Sequence, residues 1–535
     1  MTTRRRARRL LAWLVPVAAL GAIALVGPLA PPVAAHATLL ETNPADDVVL
    51  DSVPSTVRLT FDEAVDVAPG ALQVLDRDGE RVDDGTVDRS GDGLSISTAI
   101  DSDKDGTFTV AWRALSEDSH NLAGSFVFHV GERTGAVDID NGTDSTTEVV
   151  AGMARFLALA GTIVLIGVAT FGTFAPTCEA EVARRLRRLA IVAGLFGVAA
   201  VAVLLVAQAA AASGRSLLDA IEVTPELTVD TRTGVLSLWR IGFLAATVAV
   251  LVSPLRRRVR LVAGLGFGAA LVVSTSLIGH AWTADDRAVA VLADILHLAA
   301  VSVWVGGLVT LAVVLRHIED PEGTVRRFST AALVAAVVVA VTGTVSGYQQ
   351  VRSLDALTNT GYGQLLLLKV AGFGVLIGFG WINRFRLLAV VRRTIEPLLR
   401  SIRLEIPVAA VILALTAALI SQAPARTTYT EPFTEIQTTD ALTVQLDVQP
   451  ARAGTNDLHL YFFDQDGLTT TPVDAVEVTA ATGDIPPRRL DVTPITPTHF
   501  SAYGAALTAP GTWTITVTAV QAGTNTTTTF EVPIR

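Results

Sequence analysis

The 535-residue sequence has very little sulfur. It contains one cysteine, Cys178, and two methionines, Met1 and Met153. A single cysteine excludes an intrachain disulfide and any metal site built on a CxxC pair. Two methionines exclude a metal site rich in thioether ligands.

Charged residues are also scarce. They make up 17% of the chain, whereas 50% of the residues are hydrophobic. This balance argues against a disordered chain and against one soluble domain. No GxxxxGK[ST] motif is present, so nothing points to ATP hydrolysis by a P-loop. The apolar residues cluster in windows of about 20, which predicts a polytopic membrane protein with two water-exposed domains.

One region contains few positively charged residues. Residues 36–150 hold 24 Asp and Glu against 7 Lys and Arg, a net charge of −17. Such a surface disfavours nucleic acid and favours cations, so we expect no nucleic-acid partner.

The N-terminus has the pattern of a secretion signal over residues 1–35. A basic segment with five arginines precedes an apolar stretch from Leu10 to about Val26, and Val33-Ala34-Ala35 fits a cleavage site. Cleavage there would make His36 the first residue of the mature chain. The alternative is an uncleaved first membrane helix, because the apolar run is long for a signal.

The residue pattern predicts an all-β domain in each of two regions. Residues 36–135 contain segments that alternate polar and apolar residues, separated by Gly/Asp clusters, which is typical of a small β-sandwich. Residues 425–535 show the same pattern, and residues 136–150 are polar enough for a linker. The alternating segments lie at 57–61, 94–97, 108–112, 126–130, 442–446, 458–462 and 513–517.

Eight membrane spans are predicted within residues 151–421. Their approximate limits are 151–174, 188–212, 237–253, 261–280, 289–315, 328–348, 363–382 and 405–421. Arginines concentrate in alternate loops, at 175–187, 254–260, 316–327 and 383–404. The positive-inside rule makes these loops cytoplasmic, which places both β-domains outside the plasma membrane of a bacterial cell.

Three residues of the first domain have the chemistry of a metal site. A mature His36 offers its α-amine and its imidazole, and the amine loses its proton easily near neutral pH. Asp118 and His120 are two residues apart, so in an extended segment they project to one side, about 6.5 Å apart. Amine, imidazole and carboxylate ligands suit Cu(II) best. The alternatives are a solvated loop and a histidine that follows the signal by chance.

The same residues belong to a longer pattern that resembles the CopC family of periplasmic copper-binding β-sandwiches. The pattern reads His36-Ala37-x-Leu39, Pro44-Ala45, Leu59-x-Phe61 and Trp112-Arg113-x-x-Ser116-x-Asp118-x-His120-x-x-x-Gly124-x-Phe126-x-Phe128-x-Val130. The resemblance covers roughly residues 36–132 and implies one Cu(II) ion held by His36, Asp118 and His120. Family members often have glycine where this chain has Ser119, while the ligand residues match.

The membrane region contains ionisable residues, which are costly in a bilayer and prompt a functional hypothesis. His280 is predicted at the outer end of the fourth span, and Asp294 and His297 share one face of the fifth. Together with Lys369 and Asn383-Arg384 they resemble the CopD membrane domain, most clearly over 280–386. The alternative is structural: Asp294 would pair with Lys369 or Arg240, and His297 would donate to a carbonyl.

A CopC module joined to CopD spans and a trailing β-domain resembles the YcnJ type of copper protein. The resemblance implies copper capture outside the membrane followed by import, with sequestration without import as the alternative. An oxygenase with an N-terminal histidine is disfavoured because Asp118 would fill the position that oxygen needs, so we expect no enzyme. The last domain loosely resembles YtkA-like domains, and we expect its His459 and His499 to be ordinary surface or satisfied histidines.

Overall fold

The computed structural model describes residues 39–534, apart from residues 62, 69, 117–120, 138–143, 176–178, 280, 283, 285, 430, 431, 466, 468, 469 and 484. The chain divides into two compact units, Met1–Ala425 and Arg426–Arg535. The first unit contains a β-region and the membrane helices, and the second is a separate β-region.

The first β-region forms two sheets around one hydrophobic core. Its described strands are β1 Leu39–Asn43, β2 Val49–Leu50, β3 Thr56–Phe61, β4 Val65–Asp66, β5 Leu72–Leu75, β6 Asp88–Arg89, β7 Ser95–Ala99, β8 Gly106–Ser116 and β9 Asn121–Val130. One sheet has the order β1-β3-β7-β6, and the other has the order β2-β9-β8-β4 with β5 also paired to β8. The β-rich prediction for this region is confirmed.

Alternation explains why these strands bury one face. In β3, Val57, Leu59 and Phe61 are buried and the intervening residues are more exposed. The Trp112 ring meets Phe61 edge-on, with centroids 5.4 Å apart. Gly124 lies opposite Trp112 in the β8–β9 pair, where an added Cβ would come within 2.7 Å of the indole. The long β8–β9 hairpin is therefore fixed against the core.

The helical region contains, among its described residues, eight helices long and apolar enough to cross a membrane, as the sequence predicts. They are α1 Ser145–Phe174, α2 Ala180–Ser213, α4 Arg232–Val252, α5 Arg257–Ser276, α6 Arg287–His317, α7 Pro321–Val351, α9 Gly361–Val390 and α10 Glu396–Leu419. Shorter helices are α3 Ala220–Asp230, α8 Leu354–Asn359 and α11 Ala425–Thr428.

The helix α6 is central to the bundle and is not a regular α-helix throughout. Residues Ser302–Gly306 form a π-turn within it. Gly306 abuts α1 so closely that an added Cβ would lie 2.1 Å from the Ile163 carbonyl oxygen. Such π-turns are frequent at functional sites, and this one separates two polar groups of the bundle.

The arginine-rich loops gather at one end of the bundle. Arg257 donates to the carbonyl oxygens of Gly172 and Ala175 at the end of α1, and Arg327 donates to that of Phe174. Arg316 pairs with Glu396 at 2.8 Å. The connections that the charge pattern assigned to one side therefore share one end of the bundle.

The second unit also has two sheets around its own core. Its described strands are β10 Phe433–Thr438, β11 Thr443–Gln449, β12 Gly454–Phe463, β13 Ala475–Thr482, β14 Ile485–Leu490, β15 Thr493–Thr496, β16 His499–Leu507, β17 Gly511–Gln521 and β18 Thr524–Ile534. The sheet orders are β10-β11-β12-β16-β15 and β14-β13-β17-β18. Leu460, Phe462, Trp513 and Phe530 are fully buried in this core, and the β-rich prediction is confirmed here too.

Candidate metal centres

The three predicted ligands of the first domain, His36, Asp118 and His120, lie outside the described residues. The strands that flank two of them are described: β8 ends at Ser116, β9 begins at Asn121, and Leu115 pairs with Asn121. The predicted ligand set stays a prediction.

The end of β8 that precedes Asp118 lies against the membrane helices. Ala68 and Ala71, which follow the strand paired with the end of β8, share a buried cluster with α2 and α3. The helix side of that cluster consists of Ala209, Ala210, Ala212, Ala220, Val223 and Leu227. Gly214 ends α2 with a φ of 69°, and an added Cβ there would come within 2.8 Å of Arg113 Nε. The first β-region therefore meets the bundle at the end of α2 farthest from the arginine-rich loop at 175–187.

A histidine elsewhere in the first β-region is held on both ring nitrogens. His129 Nδ1 lies 2.9 Å from Thr107 Oγ1, and Nε2 lies 3.0 Å from Asp47 Oδ1. The His129 hydrogen bond, helped by Arg133 and opposed by desolvation, lowers the pKa of Asp47 below its ordinary value. His129 is therefore a structural residue with no ring nitrogen left for a ligand.

In the membrane region, Asp294 and His297 lie on α6 as predicted, whereas His280 lies outside the described residues. Lys369 of α9 is close enough to act electrostatically on both Asp294 and His297. The buried hydroxyl of Ser276, at the end of α5, lies beside Asp294. Two helices thus place a carboxyl, an imidazole and an amine side chain together, and α5 adds a hydroxyl.

The hydrogen bonds of His297 define which of its ring nitrogens carries the proton. His297 Nδ1 lies 2.9 Å from Thr342 Oγ1 on α7. The Thr342 hydroxyl donates its own proton to the Val338 carbonyl at 2.7 Å, so its oxygen accepts from Nδ1–H. In the neutral imidazole Nε2 then carries the lone pair, which is the state that a metal ligand needs. Gly343 leaves room for the ring, since an added Cβ would lie 3.4 Å from His297 Cε1.

A second polar group lies further along α6, at the π-turn and beyond it. A cavity of about 160 Å³ is lined by Trp304, Asn383, Arg384 and Glu405, together with apolar residues of α6, α7, α9 and α10. Glu405 is only 1% exposed and accepts hydrogen bonds from Asn383 Nδ2 at 2.5 Å and Ser401 Oγ at 3.2 Å. Trp304 is seven residues after His297, about 10 Å along the helix.

The sequence reasoning did not select Thr342, Ser276 or Glu405. Glu405 was detectable as an ionisable residue inside an apolar stretch. Thr342 and Ser276 carry no such signal, because hydroxyl residues are common in membrane helices and their partners depend on helix packing. Among the described residues, no group of three or more His, Cys, Asp or Glu is arranged to hold a metal ion.

The chain matches three family models. Residues 39–131 match the CopC domain, residues 146–287 match the copper resistance protein D-like N-terminal domain, and residues 322–419 match copper resistance protein D. These matches confirm the resemblance drawn from the motifs.

Two curated relatives differ in how much of the chain they cover. Copper transport protein CutJ of Bacillus subtilis (strain 168) is 28% identical over 466 residues, which are 83% of this chain and 85% of CutJ. Protein YobA of Escherichia coli (strain K12) is 29% identical over 102 residues, 19% of this chain and 82% of YobA.

Solved structures match only a small part of the chain. CopC from Methylosinus trichosporium OB3b is 21% identical with a TM-score of 0.17, covering 19% of this chain and 100% of that one. PcoC, a methionine-rich copper resistance protein from Escherichia coli, is 25% identical with a TM-score of 0.16, covering 18% of this chain and 99% of PcoC.

Proposed function

We propose that this chain, a fusion of a CopC domain with a CopD-type membrane region, captures Cu(II) outside the bilayer and mediates copper import. One observation carries the proposal: Ala68 and Ala71, beside the β8 end that precedes Asp118 and His120, pack on α2 and α3 at the end of the bundle away from the arginine-rich loops. Copper released there would start next to the membrane helices rather than in bulk solvent.

Capture is assigned to the first domain, a copper-binding β-sandwich in this proposal. The α-amine and imidazole of His36, the carboxylate of Asp118 and the imidazole of His120 supply three nitrogens and one oxygen, a set that suits Cu(II). The net charge of −17 over residues 36–150 attracts the cation.

Transfer into the bundle is assigned to His280, Asp294 and His297. The Thr342 hydrogen bond holds His297 with Nε2 available, and Asp294 adds a negative charge. Lys369 acts electrostatically on Asp294, so an arriving copper ion would compete with the Lys369 side chain for the Asp294 oxygens.

The cavity around Glu405 is the proposed continuation towards the cytoplasm. Glu405, the only carboxylate among the described lining residues, is buried. On α6 the first residue that lines the cavity is Trp304, seven residues after His297. Since no ATP-binding motif is present, movement would follow the copper gradient or couple to another ion.

The orientation follows from charge. The four arginine-rich loops share one end of the bundle, and the positive-inside rule places that end in the cytoplasm. The first β-region contacts the other end, which supports capture outside the cell.

Cellular copper content tests import. We expect cells lacking the protein to hold less copper than wild-type cells under copper limitation, and a His297→Ala variant to match the deletion. His317→Ala is the matched control, because it removes a histidine from the other end of the same helix, and it should restore wild-type content. Higher copper in the deletion strain would instead support resistance by sequestration and overturn import.

A further inference from the structure

Two histidines of the second unit lie side by side although 40 residues separate them in the sequence. His459 belongs to β12 and His499 to the antiparallel strand β16. In this pairing His459 is opposite Ser501, and Tyr461 is opposite His499. The four side chains therefore share one face of the sheet, because alternate residues of a strand project to the same side. The buried residues of β12, such as Leu458 and Leu460, form the other face.

The polar atoms of this group form a compact triangle. His459 Nδ1 lies 3.1 Å from His499 Nε2 and 2.7 Å from Ser501 Oγ, and Ser501 Oγ lies 3.3 Å from His499 Nε2. Two imidazole nitrogens bound to one metal ion at about 2.0 Å are about 2.8 to 3.3 Å apart for ordinary bond angles. The observed spacing is therefore that of two neighbouring ligands on one ion.

A carboxylate lies beside the histidines. Asp447 of β11 is paired directly with His459 and acts electrostatically on His499. The Gln445 side-chain amide donates to both Asp447 oxygens, at 3.0 and 3.2 Å. The two hydrogen bonds from Gln445 thus hold the Asp447 carboxylate in place.

Aromatic rings fix the orientation of both imidazoles. Tyr461 stacks on His499, with centroids 4.3 Å apart and an interplanar angle of 14°. Tyr503 meets His459 edge-on at 5.8 Å. Both histidines are half-buried, so the rings are restrained while the sheet face stays open to an ion.

We propose that His459 and His499 supply two neighbouring ligands of a second Cu(II) site, independent of His36, Asp118 and His120, with solvent completing the coordination and Asp447 as a nearby carboxylate. Imidazole and carboxylate ligands without sulfur favour Cu(II) over Cu(I). The ion would displace the proton shared between the two nitrogens and would also replace the hydrogen bond between Ser501 Oγ and His459 Nδ1. The site gives the second unit a role in binding copper.

Copper stoichiometry of the full-length protein in detergent tests this site. The parent protein should hold one more Cu(II) per chain than a His459→Gln/His499→Gln variant after dialysis against a weak competing chelator. Tyr503→Phe, on the same sheet face, should keep the parent's stoichiometry. Asp447→Asn should retain the ion with weaker affinity.

Spectroscopy and a folding check make the result decisive. The Cu(II) lost in the double variant should show coupling to two imidazole nitrogens in its electron paramagnetic resonance spectrum. Slow hydrogen exchange of β17 and β18 in the double variant would show that the second unit is still folded. Equal copper content in the parent and the folded double variant would overturn the proposal. An Asp118→Ala/His120→Ala variant removes only the first-domain ion, so failure of that site is distinguishable from failure of this one.

Discussion

The two β-regions use histidine in opposite ways. In the first, His129 is 6% exposed, and Thr107 and Asp47 occupy its two ring nitrogens. In the second, His459 and His499 turn a nitrogen towards each other across neighbouring strands. A histidine with both nitrogens engaged by the protein stabilises a fold, whereas two imidazoles that share one hydrogen bond can exchange it for a metal ion. The partners of each ring nitrogen, rather than the presence of histidine, distinguish the two roles.

The largest expected effect is loss of a proposed ligand in the first domain. His120→Ala should weaken Cu(II) binding to that domain by at least about 100-fold, since loss of supporting groups alone costs 10- to 100-fold. His129→Gln in the same domain should leave Cu(II) affinity unchanged and lower the thermal stability. Competition titrations with a chromophoric chelator measure both variants. Equal losses of affinity would remove the distinction between structural and ligating histidines.

A smaller effect is expected for Ser501, which lies beside the His459–His499 pair. Ser501 is fully buried, and its hydroxyl lies 2.7 Å from His459 Nδ1. That nitrogen is the one that would ligate the ion, so Ser501→Ala should strengthen Cu(II) binding at the second site by roughly 2- to 10-fold, the size of one hydrogen bond. Titration in the Asp118→Ala/His120→Ala background isolates this site. Unchanged or weaker affinity would show that Ser501 does not compete with the ion for His459 Nδ1.

The smallest effect concerns acid stability around His129. The pKa of Asp47 is lowered in the folded state from an ordinary value of 3.8. A lowered carboxyl pKa contributes stability that is present above pH 3.8 and is lost as the pH falls through the folded pKa. Asp47→Asn should therefore lower the stability of the first region by roughly 0.2–1 kcal/mol near neutral pH, the size of an exposed ion pair.

Hydrogen exchange of β8 and β9 at different pH values checks this expectation. The difference between the parent and Asp47→Asn should shrink as the pH falls below 3.8. A difference that grows on acidification would contradict the assigned role of Asp47.

Much of the fold follows from local patterns. The alternation at 57–61 and 513–517 predicted β3 and β17, because one face of each strand is buried beside polar neighbours. The membrane helices followed from the length of their apolar windows. The exact ends of the helices could not be predicted from those windows, since polar residues extend α1 and α2 beyond them.

The second candidate site could not be predicted in this way. His459 and His499 were expected to be ordinary surface or satisfied histidines, because nothing local connects residues 40 positions apart. Their juxtaposition depends on the register of β12 and β16, which a bulge between Asn456 and Leu458 shifts by one residue. In contrast, Asp118 and His120 are adjacent enough for their spacing alone to suggest a site.

The central claim is that Cu(II) capture depends on a free α-amine at His36. The most direct measurement is the Cu(II) affinity of the purified mature protein beside a version that carries one additional residue before His36, each in the His459→Gln/His499→Gln background. Our account predicts that peptide mapping finds His36 at the N-terminus of the mature chain and that the added residue weakens binding strongly. Equal affinities, or a mature chain that begins elsewhere, would contradict it.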